Sequence, residues 1–275
     1  MTYRGKWAIV TGASAGIGAV FAKELATRGA NVALVARRKD RLDALAMELK
    51  RDYAVDARAL AADLADPAAP DEIFKALEGD GAAIDILVNN AGYGLPGAYL
   101  QNSWEQHRDF LEVMVTSYAH FVRLAMPGMV ERGYGRIIQV ASLAGLLPGS
   151  AGHTMYGASK AFLISFSQSL AAEGEASGVK VSALCPGFTY SEFHDVNATR
   201  GLVSQLPKYM FMEPGPVVRG AIDALERGEV VYVPGAWNKW VAWLAKAMPR
   251  SMAMAMVRNQ SKRFRRQERQ APTGR

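Results

Sequence analysis

Short runs of β-branched residues alternate with longer stretches of helical periodicity along most of the chain, and no other feature narrows the possible folds as far. Trp7 to Thr11 precedes a helical pattern from about Ile17 to Arg28, and Asn31 to Ala36 precedes one near Asp40 to Arg51. Ala57 to Ala61 leads to a helix expected to open on Asp66 as N-cap with Pro67 in its first turn. The series goes on through strand Ile84 to Val88, a long helix near Ser103 to Met126, strand Arg136 to Ala141 and a helix from about Met155 to Ala176. It closes with strand Val179 to Leu184, a helix near Val217 to Arg227 and strand Val230 to Val233. Strands joined through helices must run parallel, and right-handed crossovers lay those helices on both faces of one twisted sheet. The expected class is α/β, a doubly wound parallel sheet of about seven strands.

With 275 residues, 50% hydrophobic and 21% charged, the chain has ample apolar material for one such sheet, and disorder, collagen and coiled coil are excluded. A single domain over residues 1–235 is expected, followed at 236–275 by an amphipathic helix and a basic tail. From Arg258 onward seven basic residues face Glu268 alone, which accounts for the whole formal charge of +6 and leaves the body neutral. No nucleic-acid partner is therefore expected. The single cysteine, Cys185, rules out an intrachain disulfide and a multi-cysteine zinc site. No metal is expected, because neither His153 nor His194 has a second ligand at helical spacing. A strand starting at Lys6 leaves no room for a signal peptide, and glycines and Pro148 interrupt the charge-free stretch from Ile137 to Ser159, so the expected location is cytoplasmic.

In an open parallel sheet, ligands bind beyond the carboxyl ends of the strands. The polar signals fall there: Thr11-Gly12-Ala13-Ser14-Ala15-Gly16-Ile17-Gly18, Arg37-Arg38, Asp63, Asn89-Asn90-Ala91-Gly92, Ser142 and Cys185-Pro186-Gly187 each follow a strand. A glycine-rich turn opening a helix offers unpaired N–H groups and a positive dipole end to a pyrophosphate. A P-loop is excluded, since no Lys-Ser or Lys-Thr follows the last glycine. About 20 residues further on, where a carboxylate would select NAD, stand Arg37 and Arg38, which suit a 2′-phosphate and point to NADP(H). Tyr156 and Lys160 are four apart on one helical face. An ammonium about 4 Å from a phenol supplies roughly the 4 kcal/mol needed to bring its pKa from near 10 towards 7.

These elements, in this order, resemble the classical short-chain dehydrogenase/reductase family over about residues 5 to 235. The resemblance implies a Rossmann-like fold and NADP(H)-dependent interconversion of a ketone and a secondary alcohol. It casts Tyr156 as general acid or base, Ser142 as the residue holding the reacting oxygen, and Lys160 as binder of the nicotinamide ribose that lowers the tyrosine pKa. It further implies that Gly12, Ser14, Ile17, Gly18, Arg37, Asp63, Leu64 and Asn90 line the cofactor groove, with Arg38 beside Arg37. Pro186, Gly187 and Thr189 would lie near the nicotinamide. A homodimer or homotetramer is expected by the same analogy.

One position departs from the family. Thirteen residues before Pro127, where relatives carry an asparagine that supports a water chain to the lysine, stands Met114. A thioether replaces neither amide donor nor acceptor, so Ser117 or Thr116 substitutes, or the relay differs, or turnover is slow. Met114→Asn is expected to fold and to keep its turnover. The alternative to an enzyme is a non-catalytic NADPH-binding scaffold, which the presence of both Tyr156 and Lys160 disfavours.

Substrate-side residues are expected to be Leu143, Leu147, Met155, Phe188 and Phe193, with Leu146, Tyr209, Met210, Phe211 and Met212 nearby. Their character favours an apolar carbonyl or alcohol. Beyond Pro234, the recurrence of Trp237, Trp240, Val241, Leu244 and Met248 marks an amphipathic helix, expected to pack on protein in preference to a lipid surface.

Overall fold

The computed structural model describes residues 2–259 apart from 80, 96, 150, 153, 191–209 and 250. Strands β1 (Trp7–Thr11), β2 (Asn31–Ala36), β3 (Ala57–Ala61), β4 (Ile84–Asn89), β5 (Gly135–Val140), β6 (Val179–Leu184) and β7 (Val231–Tyr232) form one sheet in the order β3-β2-β1-β4-β5-β6-β7. Every pairing is parallel. Order reverses between β1 and β4, and that switch point opens the crevice of a doubly wound sheet.

Strand alternation divides the interior into two layers. Ala8 and Val10 of β1 face one core with helices α1 (Gly16–Thr27) and α2 (Lys39–Tyr53), whereas Ile9 between them faces the other. That second core is closed by α3 (Ala69–Gly79), the central helix and α6 (Thr154–Gly174), through Ile73, Phe121 and Leu170. α7 (Pro214–Glu226) returns to the first layer with Val218 and Ile222.

Two expected helix boundaries move. Asp66 caps a turn, its carboxylate accepting from Ala68 N at 2.9 Å, and α3 begins three residues later at Ala69. The central helix comprises α4 (Trp104–Leu111), a π-helical turn Glu112–Thr116 and α5 (Ser117–Glu131), so it runs through Pro127. Pro127 withholds one ladder donor, at a cost of about 3 kcal/mol, while Ala125 and Met129 on either side of it are buried and hold the helix on the body. Beyond β7 lie α8 (Ala236–Ala247) and a helix at 251–259. Among the described residues, no helix is long and apolar enough to cross a membrane.

Candidate active site

The strand ends border a cleft of about 1370 Å3. Its floor starts at the turn after β1. Gly12 sits at φ 67, which an L side chain rarely adopts. A Cβ on Gly18 would run into the Gly12 carbonyl and stand 2.5 Å from Asn90 Nδ2. Asn90 Nδ2 donates to Thr11 O at 2.9 Å, while Thr11 Oγ1 accepts from Asn90 N at 2.8 Å and Ala91 N at 3.0 Å. The turns after β1 and β4 are thereby fastened together at the switch point. Of the residues expected here, Gly12, Ser14, Ile17 and Asn90 line the cleft; Gly18 lies behind it as a packing contact.

α1 starts on Ala15 without a side-chain cap and has no acid in its first turn, and Ser14 to Ile17 border the cleft. Such a start favours an anion. Arg37, Arg38, Asp63 and Leu64 close this end. Both arginines are exposed, and Arg38 donates to Ser14 Oγ through Nε at 3.2 Å and Nη2 at 3.0 Å, laying a guanidinium beside the glycine turn. Asp63 Oδ1 accepts from Ala65 N at 3.1 Å. The cradle, the uncapped helix and the paired arginines fit a phosphorylated dinucleotide.

At the other end, Ser142 follows β5 and its Oγ accepts from Ala144 N at 3.1 Å. Tyr156 borders the same cleft wall, close enough for the Ser142 hydroxyl to favour its phenolate. One helical turn on, Lys160 is buried and its Nζ donates to Val140 O at 2.7 Å, lying 5.7 Å from the Tyr156 ring centroid and 5.6 Å from that of Tyr118. Ser142, Tyr156 and Lys160, expected together from the sequence, are brought together.

Their electrostatics differ from expectation. Burial pushes the Tyr156 phenol above its ordinary value, opposed by the Ser142 hydroxyl. Burial also lowers Lys160 to about 7, opposed by the neighbouring Cys185 thiol. With its pKa lowered to about 7, Lys160 is only partly charged near neutral pH, and burial outweighs the influences that favour the charged forms of both groups.

Met114, central in the π-helical turn, is fully buried. Its sulfur packs on Gly92, where a Cβ would come within 2.7 Å of it. The methionine thus fills space, which corrects the expectation that Met114→Asn leaves folding untouched. Neither hydroxyl proposed as its substitute reaches the lysine: Thr116 is exposed, and Ser117 Oγ donates to Val113 O at 2.9 Å. The residue that this helix sets beside Lys160 is Tyr118, whose hydroxyl donates to Ala91 O at 2.8 Å. Its spacing of four from Met114 was the available signal.

Pro186, Gly187, Phe188, Thr189, Leu143, Leu147 and Met210 line the cleft as expected of them. Met155 does not; it lies about 100° round the helix from Tyr156. Leu146 packs on the core beneath, Phe211 stacks on Tyr190 at 5.1 Å, and Met212 contacts Asn238. Backbone bonds Tyr190 N to Met212 O at 3.0 Å and Met212 N to Phe188 O at 2.9 Å draw 188–190 and 210–212 together. Phe193, His194, Tyr209 and His153 lie outside the described residues.

α8 covers the substrate side largely with the face that the sequence pattern marked: Trp237, Val241, Leu244 and Met248 line the cleft, joined by Asn238 and Ala245, while Trp240 and Trp243 are exposed and stand away from it. Buried Asn238 was missed by sequence reasoning: its Nδ2 donates to Pro234 O at 2.9 Å and its side chain lies against Gly187. A lone amide among tryptophans reads as the solvent side of a helix.

Comparison with known proteins adds four findings. Residues 6–200 match the family model described as short chain dehydrogenase. Over 271 residues the chain is 33% identical to the very-long-chain 3-oxoacyl-CoA reductase of Anas platyrhynchos, covering 95% of this chain and 81% of that protein. It is 31% identical over 239 residues to the 3-oxoacyl-acyl-carrier-protein reductase FabG of Escherichia coli (strain K12), covering 86% and 95%. A short-chain dehydrogenase from Sphingobium yanoikuyae, solved in complex with NADPH, superposes with a TM-score of 0.78 at 34% identity, covering 89% of this chain and 96% of that one.

Proposed function

The chain belongs to the short-chain dehydrogenase/reductase family, an oxidoreductase family, and on that footing we propose that it interconverts an apolar ketone and the corresponding secondary alcohol with NADP(H). The observation that carries this reading is the gathering of Ser142, Tyr156 and Lys160 at the wall of a cleft whose far end holds the glycine turn and two arginines. Bound nicotinamide would supply or accept the hydride. Tyr156 gives its phenolic proton to the carbonyl oxygen in reduction and takes it back in oxidation, while Ser142 holds that oxygen through its hydroxyl. Lys160, fixed on Val140 O and lining the cleft, would hold the nicotinamide ribose through its remaining donors, and the negative charge of a bound dinucleotide would favour its protonated form. Arg37 and Arg38, lining that end of the cleft, would hold a 2′-phosphate, and their presence supports NADP(H) over NAD(H).

Leu143, Leu147, Phe188, Val241, Leu244 and Met248 make the substrate end apolar. A 3-oxoacyl chain is a ketone of this kind, and the names of the two relatives make 3-oxoacyl thioesters the first substrates to assay. Reduction followed by loss of NADPH absorbance tests the proposal: Tyr156→Phe should bind NADPH as the parent does and lose at least 100-fold in turnover. Unchanged turnover would remove Tyr156 from the proton step. Equal affinity for NADPH and NADH, unaltered by Arg37→Ala, would overturn the cofactor assignment.

A further inference from the structure

We propose that the outer face of α8, together with the helix at 251–259, is a docking surface for an anionic lipid bilayer. Trp240 and Trp243 are 50% and 64% exposed and Met252 and Met254 of the next helix 60% and 52%, all away from the cleft, while Trp237 and Met256, 43% and 60% exposed, stand at its rim. Large apolar side chains concentrated on two consecutive helices exceed the scattered exposure normal on a protein surface. Trp237 and Trp240 stack with centroids 5.2 Å apart, forming an aromatic platform. Indole rings, apolar with one polar N–H, partition to the headgroup boundary.

Charge selects the occupant. Between Glu229 and Glu268 the sequence contains no acidic residue and eight lysines and arginines. Lys239, Lys246 and Arg258 are exposed on the helices themselves. Two copies meeting through this face about a twofold axis would bring like charges together with no carboxylate to answer them. An anionic bilayer answers both features at once, taking the indoles and thioethers at its boundary and the cations at its headgroups. The inner face of these helices borders the substrate end of the cleft through Val241, Met248 and Val257. Docking therefore sets that end of the cleft beside the apolar layer, a short path for a poorly soluble substrate.

The test is co-sedimentation of the full-length chain with vesicles of phosphatidylcholine alone or mixed with phosphatidylserine. Binding to the mixed vesicles that is released by salt, with a blue shift of tryptophan emission, is the expected result. Trp240→Ser with Trp243→Ser should abolish it, and Lys239→Gln with Lys246→Gln should weaken it by about 30-fold. These four side chains do not line the cleft, and circular dichroism melting checks that both variants fold. Absence of binding to either vesicle, or equal binding to both, overturns the proposal. So does a tryptophan variant that halves the particle mass in sedimentation velocity without vesicle binding by the parent, which would assign the face to a second copy. No readout requires turnover, so the outcome is independent of the proposed reaction.

Discussion

Replacing Lys160 by methionine should stabilise the cofactor-free protein at low pH and progressively less as the pH rises. Lys160 is 4% exposed, and burial lowers its pKa from 10.5 to about 7. At about 1.36 kcal/mol per pH unit, holding the protonated amine in that site costs at most about 5 kcal/mol. Below pH 7 the amine is charged in both folded and unfolded chains, and the whole penalty is present. Between pH 7 and 10.5 the unfolded lysine keeps a proton that the folded one has released, so stability rises with pH and the penalty fades. Methionine keeps the length of the stem and removes the charge, but forfeits the Nζ bond to Val140 O, a pH-independent loss of about 1–3 kcal/mol. The variant should thus exceed the parent by a few kcal/mol at pH 6, and its advantage should shrink by about 3 kcal/mol between pH 7 and 9. Urea unfolding of both proteins at several pH values, followed by the fluorescence of the five tryptophans, measures the difference. A difference that is constant from pH 6 to 9 would refute the reasoning, because it would mean that Lys160 titrates alike in both states.

Three further outcomes are expected. Ultraviolet difference titration of the nucleotide-free chain against Tyr156→Phe should show no phenolate from Tyr156 below pH 10, since burial raises that group; ionisation near neutrality would contradict the desolvation account. Gly18→Ala should cost about 1–3 kcal/mol in denaturant unfolding and lower NADPH affinity, because the added methyl meets the Gly12 backbone; an alanine variant as stable and as tight-binding as the parent would show that the turn tolerates widening. Gly92→Ala should destabilise through contact with the Met114 sulfur and do so much less in a Met114→Ala background, a coupling of about 0.5–3 kcal/mol; strictly additive losses would mean the two residues do not press on each other.

The sheet was legible in the sequence because short, mostly apolar runs separated by helical patterns mark parallel strands buried on both faces, and β1, β2, β3 and β6 fall where those runs place them. The site followed from topology: residues after parallel strands share one edge, so Gly12, Asn90 and Ser142 had to converge. Helix ends were less legible, since an aspartate such as Asp66 satisfies a turn as well as a helix cap. The inward turn of Asn238 was hidden for another reason. Periodicity shows that apolar residues share a side, but only the position of the body decides whether Asn238 or Trp240 is the inner one. The charge state of Lys160 depends on desolvation by residues distant in sequence, which no local spacing encodes.

Because α8 presents Val241 and Ala245 to the cleft and is bolted to the body through the Asn238 amide, the wall it forms is separable from the strand ends that hold Ser142 and the glycine turn. Chimeras that graft residues 236–259 from a relative would transplant one side of the pocket while leaving the reacting groups in place, making this stretch a module for retuning selectivity. Truncation after Pro234 would instead breach the enclosure.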